Sequence, residues 1–356
     1  LAMSASVFES PWLSGLFGDD AMAAILSPDR QLQHMLAFEA AWSRACGRAG
    51  LIDATLAETA AQAIEVAKPD LTDLTKGTAQ DGLPVPSLVK QLKAIAPGEA
   101  VHMGATSQDV VDTTTVLVLR EASLLITNRL IELEKFLKEL EERFGDEPLM
   151  GRTRMQAATL ITVRDRVLPW RLPLAEHRLR LDQIRPRIER VQIGGASGDR
   201  KALRNKADEV VADVANQLDL APTKKAWHTM RDGIVEYASL LSMISGTLGK
   251  IGQDIALMAQ QGIGAIAISG GGTSSAMPHK NNPIAAELLV TLARFNSVQV
   301  SAMHHALIHE QERSGAAWAL EWMVLPQMLM ATARGLGACC SLSQSITRIG
   351  EADTKI

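Results

Sequence analysis

Apolar residues along this chain recur at steps of three and four, not two. Ile126, Leu130, Leu133, Leu137, Leu140 and Phe144 make one stripe. Glu132, Glu134, Lys135, Lys138, Glu139 and Glu141 fall between them, so the spacing predicts an amphipathic helix ended by Gly145-Asp146. Leu32, Met35, Leu36, Phe38 and Trp42 make a second helical stripe nearer the N-terminus. Further long helices fit about 163–191, 233–262, 283–311 and 316–346, with Pro169, Pro173 and Pro186 as points of kinking or interruption in the first. The stretch 233–262 is apolar almost all round (Ile244, Leu248, Ile251, Ile255, Met258) and carries Gly246, Gly249 and Gly252. That pattern predicts a buried helix closely approached by others, here against other subunits.

The predicted fold class is therefore all-α: an elongated bundle of long helices. A small helical domain spans 1–105, the bundle 106–346 and a C-terminal stub 347–356. One tyrosine and six phenylalanines also argue against a β-rich core. Composition narrows the functional classes. The 356 residues carry 36 basic and 40 acidic side chains, a net charge of −4, which gives no reason to expect nucleic acid or a membrane surface as partner. Apolar residues are 47% of the chain, yet no run approaches the about 20 needed to span a bilayer. No secretory signal is evident at the N-terminus. Cys46, Cys339 and Cys340 suggest neither a disulfide framework nor a metal site, and fit reduced thiols in a cytoplasmic protein.

Candidate chemistry concentrates in three segments. Residues 269–283 read SGGGTSSAMPHKNNP. Gly270, Gly271 and Gly272 make a pliant loop, followed by the hydroxyls of Thr273, Ser274 and Ser275, the cation Lys280, and Asn282-Pro283, an N-cap followed by a first helical residue. A hydroxyl loop beside a cation and a helix N-terminus suits a carboxylate substrate. No Gly-Lys-Ser/Thr ends the glycine run, so it is not a phosphate loop. An earlier segment, His102 to Thr113, holds Thr106 and Ser107, with Asp109 placed as in a capping box. A middle one runs Gly151-Arg152-Thr153-Arg154-Met155-Gln156.

SSAMPHKNNP resembles the signature of the fumarase/aspartase superfamily, in the form Ser-Ser-x-Met-Pro-x-Lys-x-Asn-Pro. The other two segments resemble that superfamily's His-x-Gly-x-Thr-Ser-x-Asp-x-x-Asp-Thr and Gly-Arg-Thr-His-x-Gln blocks, in the same order. The resemblance implies a homotetramer around a central bundle, with each active site shared by three subunits. It assigns Ser274 to a closing lid as the catalytic hydroxyl, and Lys280, Ser275 and Asn282 to the substrate. It gives Thr106 and Ser107 a substrate carboxylate, with His102 close by, and leaves hydrogen bonding to Thr153 and Gln156. It also implies a C-terminal helical domain, reduced or absent in a chain that stops at Ile356. It implies no metal and no redox cofactor.

Arg154 departs from the pattern, standing where many of these lyases have a general acid/base histidine. A guanidinium does not transfer protons at ordinary pH, but it holds a carboxylate by paired hydrogen bonds. The segment His309-Glu310-Gln311-Glu312-Arg313-Ser314 resembles a Glu-Arg-Asp block of the nucleotide-acting lyases and makes Arg313 a further substrate contact. Trp322 then replaces their second arginine, and Trp318 a small polar residue, so a flat conjugated acid gains an apolar wall. Asp81 to Pro86 also replaces their early Arg-His-Asp block. The N-terminal run from Leu16 and the His102 segment are most similar to the muconate-lactonising branch. The expected substrate is thus a small tricarboxylate, closed to a lactone. A sulfonated muconate, an adenylosuccinate- or argininosuccinate-type elimination, and a non-catalytic structural relative are the alternatives.

Overall fold

The computed structural model describes residues 5–273 and 281–351. Short helices α1 (Ser14–Phe17) and α2 (Asp20–Leu26) lead into α3 (Pro28–Arg48), α4 (Ala54–Glu65), α5 (Leu71–Asp81) and α6 (Val85–Ile95). The long helix α7 (Ser107–Phe144) follows, then strands β1 (Pro148–Thr153) and β2 (Gln156–Thr162), α8 (Val163–Ile188) and α9 (Ala207–Gln217). The chain closes with α10 (Asp232–Met258), β3 (Ile266–Ile268), β4 (Gly272–Thr273), β5 (Asn281–Asn282), α11 (Ile284–His305), α12 (Ala316–Ser345) and β6 (Ile346–Ile349). The strands pair only two by two, β1 with β2, β3 with β6 and β4 with β5, all antiparallel.

The α7 stripe does what its spacing predicts. Ile126, Leu130, Leu133, Leu137 and Leu140 are all buried, packed against Val167, Trp170 and Leu174 of α8 and against α10 and α12. Helix α8 runs through Pro169, Pro173 and Pro186 without interruption. Each proline removes one backbone hydrogen bond, but burial of Trp170, Leu174, Leu181 and Ile184 offsets that loss. The Trp170 indole also donates to Asp254 Oδ2 at 2.7 Å, tying α8 to α10. A second core gathers Phe38, Trp42, Ile64, Leu88 and Leu92 of α3–α6, and it takes in Val191, Val210 and Val214 from beyond the long helix.

Two expectations change. The glycines of α10 serve a neighbour in the same chain: a Cβ on Gly249 would stand 2.5 Å from the Ala293 Cβ, and one on Gly252 would stand 2.5 Å from the Ala286 carbonyl oxygen. Only Gly246 faces open space. Helix α11 starts at Ile284, so Asn282 is not its N-cap nor Pro283 its first residue; pairing with Gly272 holds Asn282 extended. The middle segment is a β-hairpin turning at Arg154-Met155. Among the described residues no helix is long and apolar enough to cross a membrane.

The α10–α11 contact is testable. Gly249→Ala forces the two helices apart and costs about 1–3 kcal/mol of unfolding free energy. Gly246→Ala meets nothing and gains up to about 1 kcal/mol of helix propensity. Urea midpoints of the two variants should move in opposite directions.

Candidate active site

The N-terminus of α7 is the best-built polar cluster in the described structure. Its first amides project toward Thr106 and Ser107, both partly accessible. The Thr106 N–H donates to Asp109 Oδ2 at 3.1 Å, the backward arm of the expected capping box. The Thr106 hydroxyl accepts from Arg313 Nη2 at 2.9 Å, and the same nitrogen donates to the Ala196 carbonyl at 3.0 Å. Folding thus brings Thr106, Ser107 and Arg313 together across 207 residues of sequence. An accessible guanidinium beside a helix N-terminus is suited to a carboxylate.

Below this surface Asp109 is fully buried. It accepts from the amides of Gly194 (2.8 Å) and Gly195 (3.0 Å) and from His228 Nε2 (2.8 Å). Gly195 has φ +66°, and a Cβ on Gly194 would stand 2.6 Å from the Ala226 Cβ, so the loop's close approach needs glycine at both positions. His102 also has positive φ, and its Nδ1 meets Glu39 Oε1 at 2.6 Å. Burial alone would lower the His102 pKa. The charge and hydrogen bond of Glu39, helped by Asp109, outweigh burial and hold it above the ordinary imidazole value.

One turn further along α7, Asp112 meets Arg231 through two bonds of 2.7 and 3.0 Å, and Arg231 Nε donates to Glu321 Oε1 at 2.8 Å. All three are buried. Burial opposes the Arg231 charge, but its two carboxylates reverse that and raise its pKa. Gln108 (3.1 Å) and Gln192 (3.0 Å) complete the Asp112 shell, with the Trp318 indole N–H at 3.0 Å. Trp318 is thereby committed to Asp112 and buried, not a substrate wall; Trp322 stands edge-on to it, ring centroids 4.6 Å apart.

The other candidates lie at the far end of the bundle. Helix α7 has 38 residues, hence a length of about 57 Å, and the hairpin follows its C-terminus. Arg154 and Met155 both have positive φ (50° and 67°) in the two-residue turn, with Thr153 and Gln156 paired and exposed on either side. Neither is glycine or asparagine, the residues that such a turn favours, so it holds strain at an exposed tip. Arg152, Arg154 and Arg166 line a cavity of about 360 Å³ with Lys250, Asp254 and Glu351. Asn282 lines another, of about 410 Å³, with Gly270, Gly271 and Ser345. Ser274, Ser275 and Lys280 lie outside the described residues. Within one chain, then, the structure joins Thr106, Ser107 and Arg313, with His102 in the loop before them, and holds Thr153, Arg154 and Gln156 a helix length away.

Sequence reasoning missed Glu39, Gly194, Gly195, His228, Arg231 and Glu321. The glycines of Gly194-Gly195-Ala196-Ser197-Gly198 were a readable signal; a lone acid inside an apolar helical stripe, such as Glu39, was a fainter one.

The lyase family matches residues 17–298. A 3-carboxy-cis,cis-muconate cycloisomerase from Pseudomonas aeruginosa is 39% identical over 334 residues, which cover 91% of this chain and 73% of that protein. Its counterpart from Pseudomonas putida is 38% identical over 339 residues, 93% of this chain and 78% of its own. The crystal structure of 3-carboxy-cis,cis-muconate lactonizing enzyme from Pseudomonas putida is similar with a TM-score of 0.88 at 37% identity, over 95% of this chain and 77% of that one.

The buried and accessible arginines should differ sharply in unfolding experiments. Arg231→Ala strands two buried carboxylates and costs about 3–5 kcal/mol. Arg313→Ala opens onto solvent and changes unfolding by no more than about 1 kcal/mol. Urea denaturation of both variants checks the contrast.

Proposed function

This chain belongs to the lyase family, within the fumarase/aspartase superfamily, and from that premise we propose that it is a cycloisomerase, an intramolecular lyase closing 3-carboxy-cis,cis-muconate to 4-carboxymuconolactone. The observation that carries the reading is Arg154, a cation in the position of a proton-transfer histidine, on a hairpin tip bordered by Arg152, Arg166 and Lys250. Lactonisation is the reaction in this superfamily that least needs a base there. Its nucleophile is a carboxylate of the substrate, already ionised at neutral pH.

The site folds the muconate so that this carboxylate oxygen reaches the distal alkene carbon, a proximity effect. As the C–O bond forms, the alkene electrons move toward the neighbouring carboxylate, which becomes an enediolate. Arg154 and Lys280 stabilise that charge, an effect of roughly 3–4 kcal/mol per well-placed donor. Thr106, Ser107, Arg313 and His102 hold the remaining carboxylates at the α7 N-terminus, with Thr153, Gln156, Ser275 and Asn282 bonding the substrate from the other segments. Ser274 delivers one proton to the α-carbon, and the lactone leaves.

The length of α7 supports an assembly in which these segments come from different subunits, a homotetramer with each site shared by three. The three free, buried cysteines support a reducing, cytoplasmic setting. The role fits a step in aromatic acid breakdown along the β-ketoadipate route.

Loss of conjugated-diene ultraviolet absorbance tests the reaction. Purified protein should consume 3-carboxy-cis,cis-muconate with lactone as product, faster than a sulfonated analogue. An intact tetramer that leaves the absorbance unchanged rules the reaction out. Ser274→Ala should lower kcat by at least about a hundredfold; near-normal turnover would remove the serine from the proton transfer.

A further inference from the structure

Glu39 sits on α3 with no exposed surface. Its Oε1 meets His102 Nδ1 at 2.6 Å, while its Oε2 is buried without a hydrogen-bond partner among the described residues. A carboxylate in such a place is costly unless a counter-charge stands beside it. His102 supplies the hydrogen-bonded one. The imidazole is 15% exposed, so it bridges the buried acid and the accessible surface next to Thr106. With Nδ1 committed to Glu39, Nε2 is the ring nitrogen left for a ligand, and no hydrogen bond joins it to a described residue.

We propose that Glu39 is a positioning residue: it holds His102 as an imidazolium, with Nε2–H presented to a substrate carboxylate at the α7 N-terminus. This rests on the reading that the α7 N-terminus receives a carboxylate. The pair shares one proton, and its position follows from the neighbours. On α7, Asp109 favours the charged imidazole; on α6, Lys93 opposes it; on α3, burial, helped by the nearby Glu39 charge, pushes the Cys46 thiol up to about 12, so it stays neutral. A carboxylate arriving at Nε2 draws the proton further onto the ring. The sign follows directly. The imidazolium exists below its raised pKa, so affinity is full at low and neutral pH and falls as pH rises through that value.

Glu39→Gln keeps the shape and a hydrogen-bond acceptor but removes the charge. We expect KM to rise about tenfold at pH 7.5 with kcat changed by less than about threefold. The KM penalty should shrink toward pH 5.5, where His102 takes a proton unaided. In a His102→Gln background, Glu39→Gln should add nothing further. Histidine C2 hydrogen–deuterium exchange read by mass spectrometry reports the His102 midpoint directly, without substrate. It should lie above the ordinary imidazole value in the wild-type protein and fall in Glu39→Gln. A wild-type midpoint at or below the ordinary value overturns the proposal, and so does a KM penalty equal at both pH values. If the wild-type protein turns over no muconate, the cycloisomerase reading fails separately. The dissociation constant of citrate, a non-reacting tricarboxylate, then takes the place of KM with the same expected pH-dependent loss. Equal citrate affinity in wild type and Glu39→Gln would overturn the positioning role.

Discussion

The buried guanidinium of Arg231 is the constraint from which the rest of the α7 N-terminus follows. It stands just before α10 and bonds Asp112 of α7 and Glu321 of α12, so three helices are registered through one planar cation. Such a triad contributes little net stability against an apolar core, because desolvation is costly, but removing any one member strands the others. Its value here is geometric. A fork that demands bidentate carboxylates permits one relative rotation of α7, and that rotation sets Asp109 beneath the Gly194–Gly195 loop, with Thr106 facing Arg313.

That anchoring explains a division of labour along α7. Asp109 and Asp112 are one turn apart, face inward and are used by the protein itself. Thr106 and Ser107 precede them and remain partly accessible, with the Thr106 hydroxyl bonded to Arg313. Of the two tryptophans after Arg313, Trp318 belongs to the inner layer, since an indole N–H directed at Asp112 cannot also form a substrate wall.

Leu124 and Ile131 on α7, and Leu172 and Leu179 on α8, are exposed and each pair is seven residues apart, the spacing of a helix face that packs lengthwise. These faces fit the proposed side-by-side association of copies, which would carry the Arg154 hairpin of one copy to the Thr106 end of another.

Much was legible in the sequence because it depends on local periodicity. The heptad stripe from Ile126 to Leu140, the box between Thr106 and Asp109, the end of α7 at Gly145 and the long helices α8, α10, α11 and α12 all follow from residues within a few turns of one another. The candidate residues of the three segments were readable because those segments resemble the superfamily's blocks. Tertiary structure alone decided the partners. Nothing near Glu39 in the chain indicates His102, 63 residues away, and nothing near Arg231 indicates Asp112 or Glu321, which lie 119 and 90 residues away. The same holds for the α10 glycines, whose spacing shows that a helix comes close but not whose helix it is. A helix stripe is written in steps of three and four; the identity of what covers it is set only when the whole chain competes for the same buried surface and every buried charge must find its counter-charge.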